Sequence, residues 1–186
     1  MQRKIFIGID VDVHLKKAIT RSVKQWKDLP IKWHKEDSLH ISLLSLGWVR
    51  EDDVLDVIAV LASFCMEHAT PFSVDFEKIE AVAKDPKEHD ITKAQIVRLI
   101  GKESDQLYKL YVDLAEILHV PIEKKKAFKP HIEIGRMRAK KWQNISSYPE
   151  KVISFLLNMD VSTITLFEFA HIDGKREVMP IEVFEL

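Results

Sequence analysis

The sequence predicts an α+β fold with largely antiparallel sheets, and three observations lead there. Short segments are β-branched or alternate apolar with polar residues, as in Lys4-Ile5-Phe6-Ile7-Gly8-Ile9-Asp10 and at Phe72, Val74 and Phe76. Three other segments place apolar residues at helical spacing. Helices and strands interleave without the strict alternation of a doubly wound parallel sheet.

Residues 4 to 10 read as a buried strand, and Leu15, Ile19, Val23 and Trp26 put a helix over 12 to 27, stopped by Pro30. A short strand, Ile31-Lys32-Trp33-His34, and a charged turn lead into a strand around Leu39-His40-Ile41-Ser42-Leu43 that ends near Gly47. Asp52 or Asp53 caps the next helix, with Val54, Ile58, Leu61 and Cys65 inward and an end before Pro71. Phe72, Val74 and Phe76 begin a strand running toward Ala83, and a polar loop at 84 to 90 precedes the strand Gln95-Ile96-Val97-Arg98-Leu99-Ile100, closed by Gly101. Ser104 or Asp105 caps a helix with Leu107, Tyr111, Leu114 and Leu118 on its buried stripe, and Pro121 ends it. A basic loop then delivers a strand from Pro130 to Arg136. The remainder reads as strands over 152 to 157, 162 to 169 and 178 to 184, with a turn at Asp173-Gly174.

A chain of 186 residues suits one core or two tightly packed lobes, so a single domain over 1 to 186 is expected. Hydrophobic content of 46% and charged content of 31% are those of an ordinary globular protein. The lone cysteine, Cys65, lies in an apolar helical pattern and reads as a small buried hydrophobe. With no partner for a disulfide, no apolar run near the roughly 20 residues of a membrane helix, and a start that leads straight into a strand, the expected location is cytoplasmic and not membrane-bound. A monomer is expected. Net charge of −1 argues against a protein coated in positive charge for nonspecific nucleic-acid binding. Yet Lys124, Lys125, Lys126, Lys129, Arg136, Arg138, Lys140 and Lys141 cluster on either side of one strand, either as a solvated surface or as a phosphate-attracting collar.

That strand carries Pro130-His131-Ile132-Glu133-Ile134, and the earlier one Leu39-His40-Ile41-Ser42-Leu43, with the two histidines 91 residues apart. Alternation sets His40 and Ser42 on one face and Ile41 and Leu43 on the other, and splits the second segment the same way. Each strand therefore has a dry face and a face with a titratable ring. Two imidazoles in one cleft supply a general base and a general acid near neutral pH, because histidine's unperturbed pKa is about 6.5. This is equipment for phosphodiester chemistry without a metal.

Trp33, the tripeptides His40-Ile41-Ser42 and His131-Ile132-Glu133, Leu46-Gly47, Phe128-Lys129-Pro130 and Gly135-Arg136 together resemble the signature of the 2H phosphoesterase superfamily. The likeness is to its branch of RNA 2′,3′-cyclic phosphodiesterases, first described as 2′-5′ RNA ligases. The resemblance implies a bilobal fold of two mostly antiparallel sheets with pseudo-twofold symmetry around a central groove, helices outside, and two intertwined lobes. It implies hydrolysis of a 2′,3′-cyclic phosphate at an RNA or nucleotide end to a 2′-phosphate, with no cofactor, no metal and weak ligation at most. On that likeness His40 is the proton donor to the departing 3′ oxygen and His131 the base that activates water. Ser42 donates to a phosphate oxygen, and Arg136 adds charge at the groove.

Glu133 stands where the family has Ser or Thr, and Ser45 where it usually has an aromatic residue. A carboxylate donates no hydrogen bond, and a unit charge about 5 Å from a phosphate oxygen costs roughly 3 kcal/mol at an effective dielectric of 20. Either Glu133 turns away to pair with Arg136, Arg138 or a lysine, or it sits beside His131 and stabilises its imidazolium, or it marks a different substrate or lost turnover. The alternative reading is a catalytically impaired relative that binds RNA or nucleotide phosphate ends. A metal site of His40, His131 and Glu133 is a further alternative, though it lacks closely spaced ligands. Trp48, Trp142 and Phe128 are candidates for stacking on bases, and equally for partial burial in the core. His14, His34, His68, His89, His119 and His171 have no comparable context and receive no function; for His34 and His171 a place near the groove is open, with a surface or helix-end role the main expectation.

Overall fold

The computed structural model describes residues 1–68, 70–83, 94–122, 128–137 and 152–186. The order is β1 (Gln2–Asp10), α1 (Val13–Ser22), β2 (Ile31–Trp33), β3 (His40–Arg50), α2 (Val54–His68), β4 (Phe72–Ala83), β5 (Ala94–Gly101), α3 (Asp105–Ile117), β6 (His131–Met137), β7 (Val152–Val161), β8 (Thr163–Ile172) and β9 (Lys175–Glu185). Side chains of Asp12 and Ser104 accept from the backbone N–H groups of Leu15 and Leu107, satisfying donors that a helix start leaves unpaired. The loop between β8 and β9 is Asp173-Gly174, both at positive φ (51° and 71°), the conformation that matches the twist of a two-residue hairpin. His119, also at positive φ, ends α3 in the left-handed position usual past a helix.

All described pairings are antiparallel, in the order β7-β4-β5-β6-β3-β1-β8-β9 with β2 added beside β6. The two expected sheets are halves of one. They are joined by a single residue pair, Ile41 with Ile132, the middle residues of the two histidine tripeptides. Each half places next to its histidine strand the strand that precedes the connecting helix: β1 beside β3, and β5 beside β6. The halves interlock, since α1 packs against β7 and α3 against β3. No described helix is long and apolar enough to cross a membrane.

Ile5, Ile7, Leu15, Ile41, Leu61, Leu99, Leu107, Leu114 and Ile132 are fully enclosed and belong to one continuous apolar cluster. Each such side chain contributes about 1.5–3 kcal/mol relative to an exposed one. Because helix stripes and strand isoleucines share this cluster, the helices cover the face opposite the histidines. Cys65 is buried as expected, and desolvation pushes its thiol up to about 11.

Both histidine strands carry a bulge one residue beyond their tripeptide. On β3 the register passes from Gly8–Ser42 to Ile7–Leu44, leaving Leu43 extra; on β6 it passes from Arg98–Glu133 to Val97–Gly135, leaving Ile134 extra. An extra residue reverses the alternation beyond it, so Ser45 and Arg136 return to the face of the histidines. Gly135 then lets β2 approach: a Cβ there would lie 2.9 Å from both Ile31 Cγ2 and Trp33 Cε3. Gly135→Ala is accordingly expected to cost about 1–3 kcal/mol, read as a lower Tm. An unchanged Tm would show that β2 yields without cost.

Candidate active site

The seam pair fixes what faces what. One step either side of Ile41–Ile132, the antiparallel register sets His40 opposite Glu133 and Ser42 opposite His131, all on the face away from the core. The two histidines are diagonal neighbours, and such positions lie about 7–8 Å apart. Rings of this reach bracket a group of phosphate size.

The rings are tethered alike. His40 Nδ1 donates to the Ser38 carbonyl at 2.8 Å, and His131 Nδ1 to the Lys129 carbonyl at 3.4 Å, in each case two residues back. A carbonyl only accepts, so Nδ1 carries hydrogen and Nε2 is the nitrogen that gains or loses a proton in chemistry. His40 also packs on Phe6 at 4.9 Å and Phe167 at 5.4 Å between ring centroids, and Phe6 stacks on Phe167 and Phe169. That burial lowers the His40 pKa below 6.5, against the opposing pull of the Ser38 carbonyl, Asp10 and Glu133.

Glu133 is not bare. Its Oε1 lies 2.9 Å from His34 Nε2 and accepts from Arg136 Nε at 2.6 Å. The hydrogen bond to His34, opposed by burial and reinforced by Arg136, brings the carboxyl pKa down to about 2. Of the arrangements open at the sequence level, the pairing with Arg136 is the one present. Because this folded-state pKa lies below the ordinary 4.5, the stabilisation is complete above about pH 4.5 and is lost as pH falls toward 2. Glu133→Gln should therefore be less thermally stable than the parent at neutral pH, with the difference closing over that acid window. A difference independent of pH would rule out an ionic origin.

His34 takes the place near the groove that its sequence left open, not the surface or helix-end role that was the main expectation. Its backbone N–H donates to the Ile134 carbonyl at 3.0 Å, extending the β2–β6 pairing by one residue and bringing the ring to Glu133. Ser42 is exposed on the groove face. Arg136 is also exposed there but has committed Nε to Glu133. Lys129 pairs with Glu103 at 3.6 Å. Phe128 packs on Tyr111 of α3 at 5.3 Å and joins the core margin instead of offering a stacking face. Trp48 is 63% exposed on β3, and His171 is exposed at the far end of β8. His89, Trp142, Lys124, Lys125, Lys126, Arg138, Lys140 and Lys141 lie outside the described residues. Among the described residues no three His, Cys, Asp or Glu side chains gather as a metal site would require, and Glu133 is turned to His34 and Arg136 instead.

Sequence reasoning assigned His34 no function and missed the Phe6–Phe167–Phe169 shelf and Arg98. Arg98 faces the groove opposite Glu133 between the enclosed Val97 and Leu99. It had a signal: a lone arginine inside an apolar strand.

No family model matches the chain. Two curated relatives do, each named RNA 2′,3′-cyclic phosphodiesterase. That of Methanocaldococcus jannaschii is 24% identical over 136 residues, covering 73% of this chain and 72% of the relative. That of Thermotoga maritima is 26% identical over 148 residues, covering 76% and 75%. Among solved structures, E. coli LigT complexed with phosphate superposes with a TM-score of 0.72 at 18% identity, covering 100% of this chain and 98% of that one. A Thermus thermophilus protein gives 0.73 at 18%, covering 98% and 97%. At such identities the structural likeness establishes the fold.

Proposed function

We propose that this chain, a member of the 2H phosphoesterase superfamily, hydrolyses 2′,3′-cyclic phosphate at RNA or nucleotide ends to a 2′-phosphate, without a metal. One observation carries the reading: the sheet halves meet at the middle residues of both tripeptides, with each histidine tethered through Nδ1 to the carbonyl two residues back.

In this mechanism phosphorus sits over the seam. His131 Nε2 removes a proton from water as its oxygen bonds to phosphorus. The bond to the 3′ oxygen breaks, and His40 Nε2 delivers a proton to that oxygen, leaving a 3′-hydroxyl and a 2′-phosphate. Ser42 donates to a nonbridging oxygen. Each positioned proton transfer is worth about 10² to 10⁴ fold, and the donors act where negative charge develops. Burial keeps His40 neutral more readily in the free protein, and an anionic phosphate against Nε2 reverses that preference by favouring imidazolium. The ring gains its proton when there is a leaving group to receive it.

The test is incubation with a 2′,3′-cyclic nucleotide and with cyclic-phosphate-ended RNA, with and without chelator, reading products by phosphorus NMR. A 2′-phosphate formed at equal rates in both conditions is expected. A 3′-phosphate, or a reaction stopped by the chelator, would refute the mechanism. Glu133, an anion where the resemblance expects a hydroxyl donor, favours a second reading in which the groove binds phosphate ends without turnover. Tight binding of cyclic-phosphate ends with no product would establish it.

A further inference from the structure

Arg98 is a groove-facing cation that the proposed chemistry leaves unused. On β5 it lies across from Glu133 of β6 on one side and Glu80 of β4 on the other. Val97 and Leu99, both fully enclosed, set it on the opposite face from the core. Both flanking carboxylates are already committed: Glu80 to Lys78 at 2.7 Å, and Glu133 to His34 and Arg136. Among the described residues nothing accepts a hydrogen bond from Arg98 Nε, although that atom is buried. That nitrogen has lost water without gaining an acceptor, which costs free energy, while the residue as a whole is only half-buried and keeps part of its charged head open to solvent.

Its position says which ligand group. Strands lie about 4.8 Å apart, so β5 stands about 7 Å from the seam over which the scissile phosphorus sits. Ser42 and the two histidines already surround that phosphate. Arg98 flanks it, where the next phosphate of the same strand would come, and its planar fork matches phosphate oxygens.

The geometry points to Arg98 as a second anion subsite that binds the phosphate on the 5′ side of the terminal nucleotide, so that the groove prefers an oligonucleotide or 5′-phosphorylated end over a lone cyclic nucleotide. This rests on the proposed end-processing reaction for the placement of the terminal nucleotide. It is tested without turnover. Calorimetry compares adenosine 2′-monophosphate with adenosine 2′,5′-bisphosphate on the parent chain, on Arg98→Gln and on Arg98→Lys, with Tm as the folding control.

The parent should bind the bisphosphate at least about tenfold more tightly, as expected for charge-assisted hydrogen bonds. Arg98→Gln should remove that gap while leaving monophosphate affinity unchanged, and Arg98→Lys should keep part of it. Equal weakening of both ligands by Arg98→Gln would place Arg98 on the scissile phosphate and overturn the inference. So would absence of any preference in the parent, or a lowered Tm with preference intact, which would make Arg98 a structural partner of Glu80. A preserved bisphosphate preference in a chain that hydrolyses no cyclic phosphate would sink the proposed reaction and leave the subsite standing.

Discussion

Replacing either groove histidine with alanine should lower kcat on a 2′,3′-cyclic nucleotide by about 10² to 10⁴ fold with little change in KM. In the proposed mechanism the rings act in the transition state, one taking a proton while the other gives one, so losing either forfeits a whole transfer. Because they act as a unit, the double variant should be scarcely worse than the single ones. His40 packs between Phe6 and Phe167, so His40→Ala also opens a gap in that aromatic shelf. His40→Asn, which keeps a polar planar group there, separates lost chemistry from lost packing. Residual activity above a tenth of the parent in His131→Ala or His40→Asn would contradict the two-histidine mechanism.

Glu133→Thr should raise kcat/KM by about tenfold, which corresponds to about 1.4 kcal/mol. A bare carboxylate this close to phosphate would cost more, but Arg136 neutralises part of its charge and His34 Nε2 hydrogen-bonds the same oxygen. That neutralisation has a second effect: the carboxylate occupies two donors that an anionic substrate would otherwise recruit. Threonine removes the competing anion, releases Arg136 Nε and His34 Nε2, and restores a hydroxyl donor. The gain should appear mainly as a lower KM. A tenfold or larger fall in kcat would instead show that the Glu133 carboxylate serves turnover, for instance by favouring the imidazolium of His40 across the seam.

The local elements were legible because their signals are local. Leu15 and Ile19 at helical spacing, Ser104 ahead of Leu107, and Asp173-Gly174 between alternating runs each specify structure through neighbours in sequence. The tripeptides were legible for the same reason, since alternation alone assigns His40 and Ser42 to one face. What was not legible depends on partners distant in the chain. The bulges at Leu43 and Ile134 exist only against β1 and β5, and they alone return Ser45 and Arg136 to the groove. His34 reaches Glu133 through the pairing of β2 with β6, 99 positions apart in the chain, which no spacing rule reveals. The Phe6 and Phe167 shelf likewise comes from β1 lying beside β8. Phe128 stayed open between base stacking and partial core because an aromatic residue beside a motif reads the same whether it faces a ligand or, as here, α3.

In the proposed site two imidazoles, each held through Nδ1, present Nε2 to one phosphate. Imidazole nitrogen-15 NMR during titration with adenosine 2′-monophosphate reads this directly. Nδ1 of both His40 and His131 should remain protonated throughout, while both Nε2 resonances move together to protonated values with one saturation curve. Movement of only one ring, or a ring whose bare nitrogen is Nδ1, would show that the two histidines do not share a phosphate.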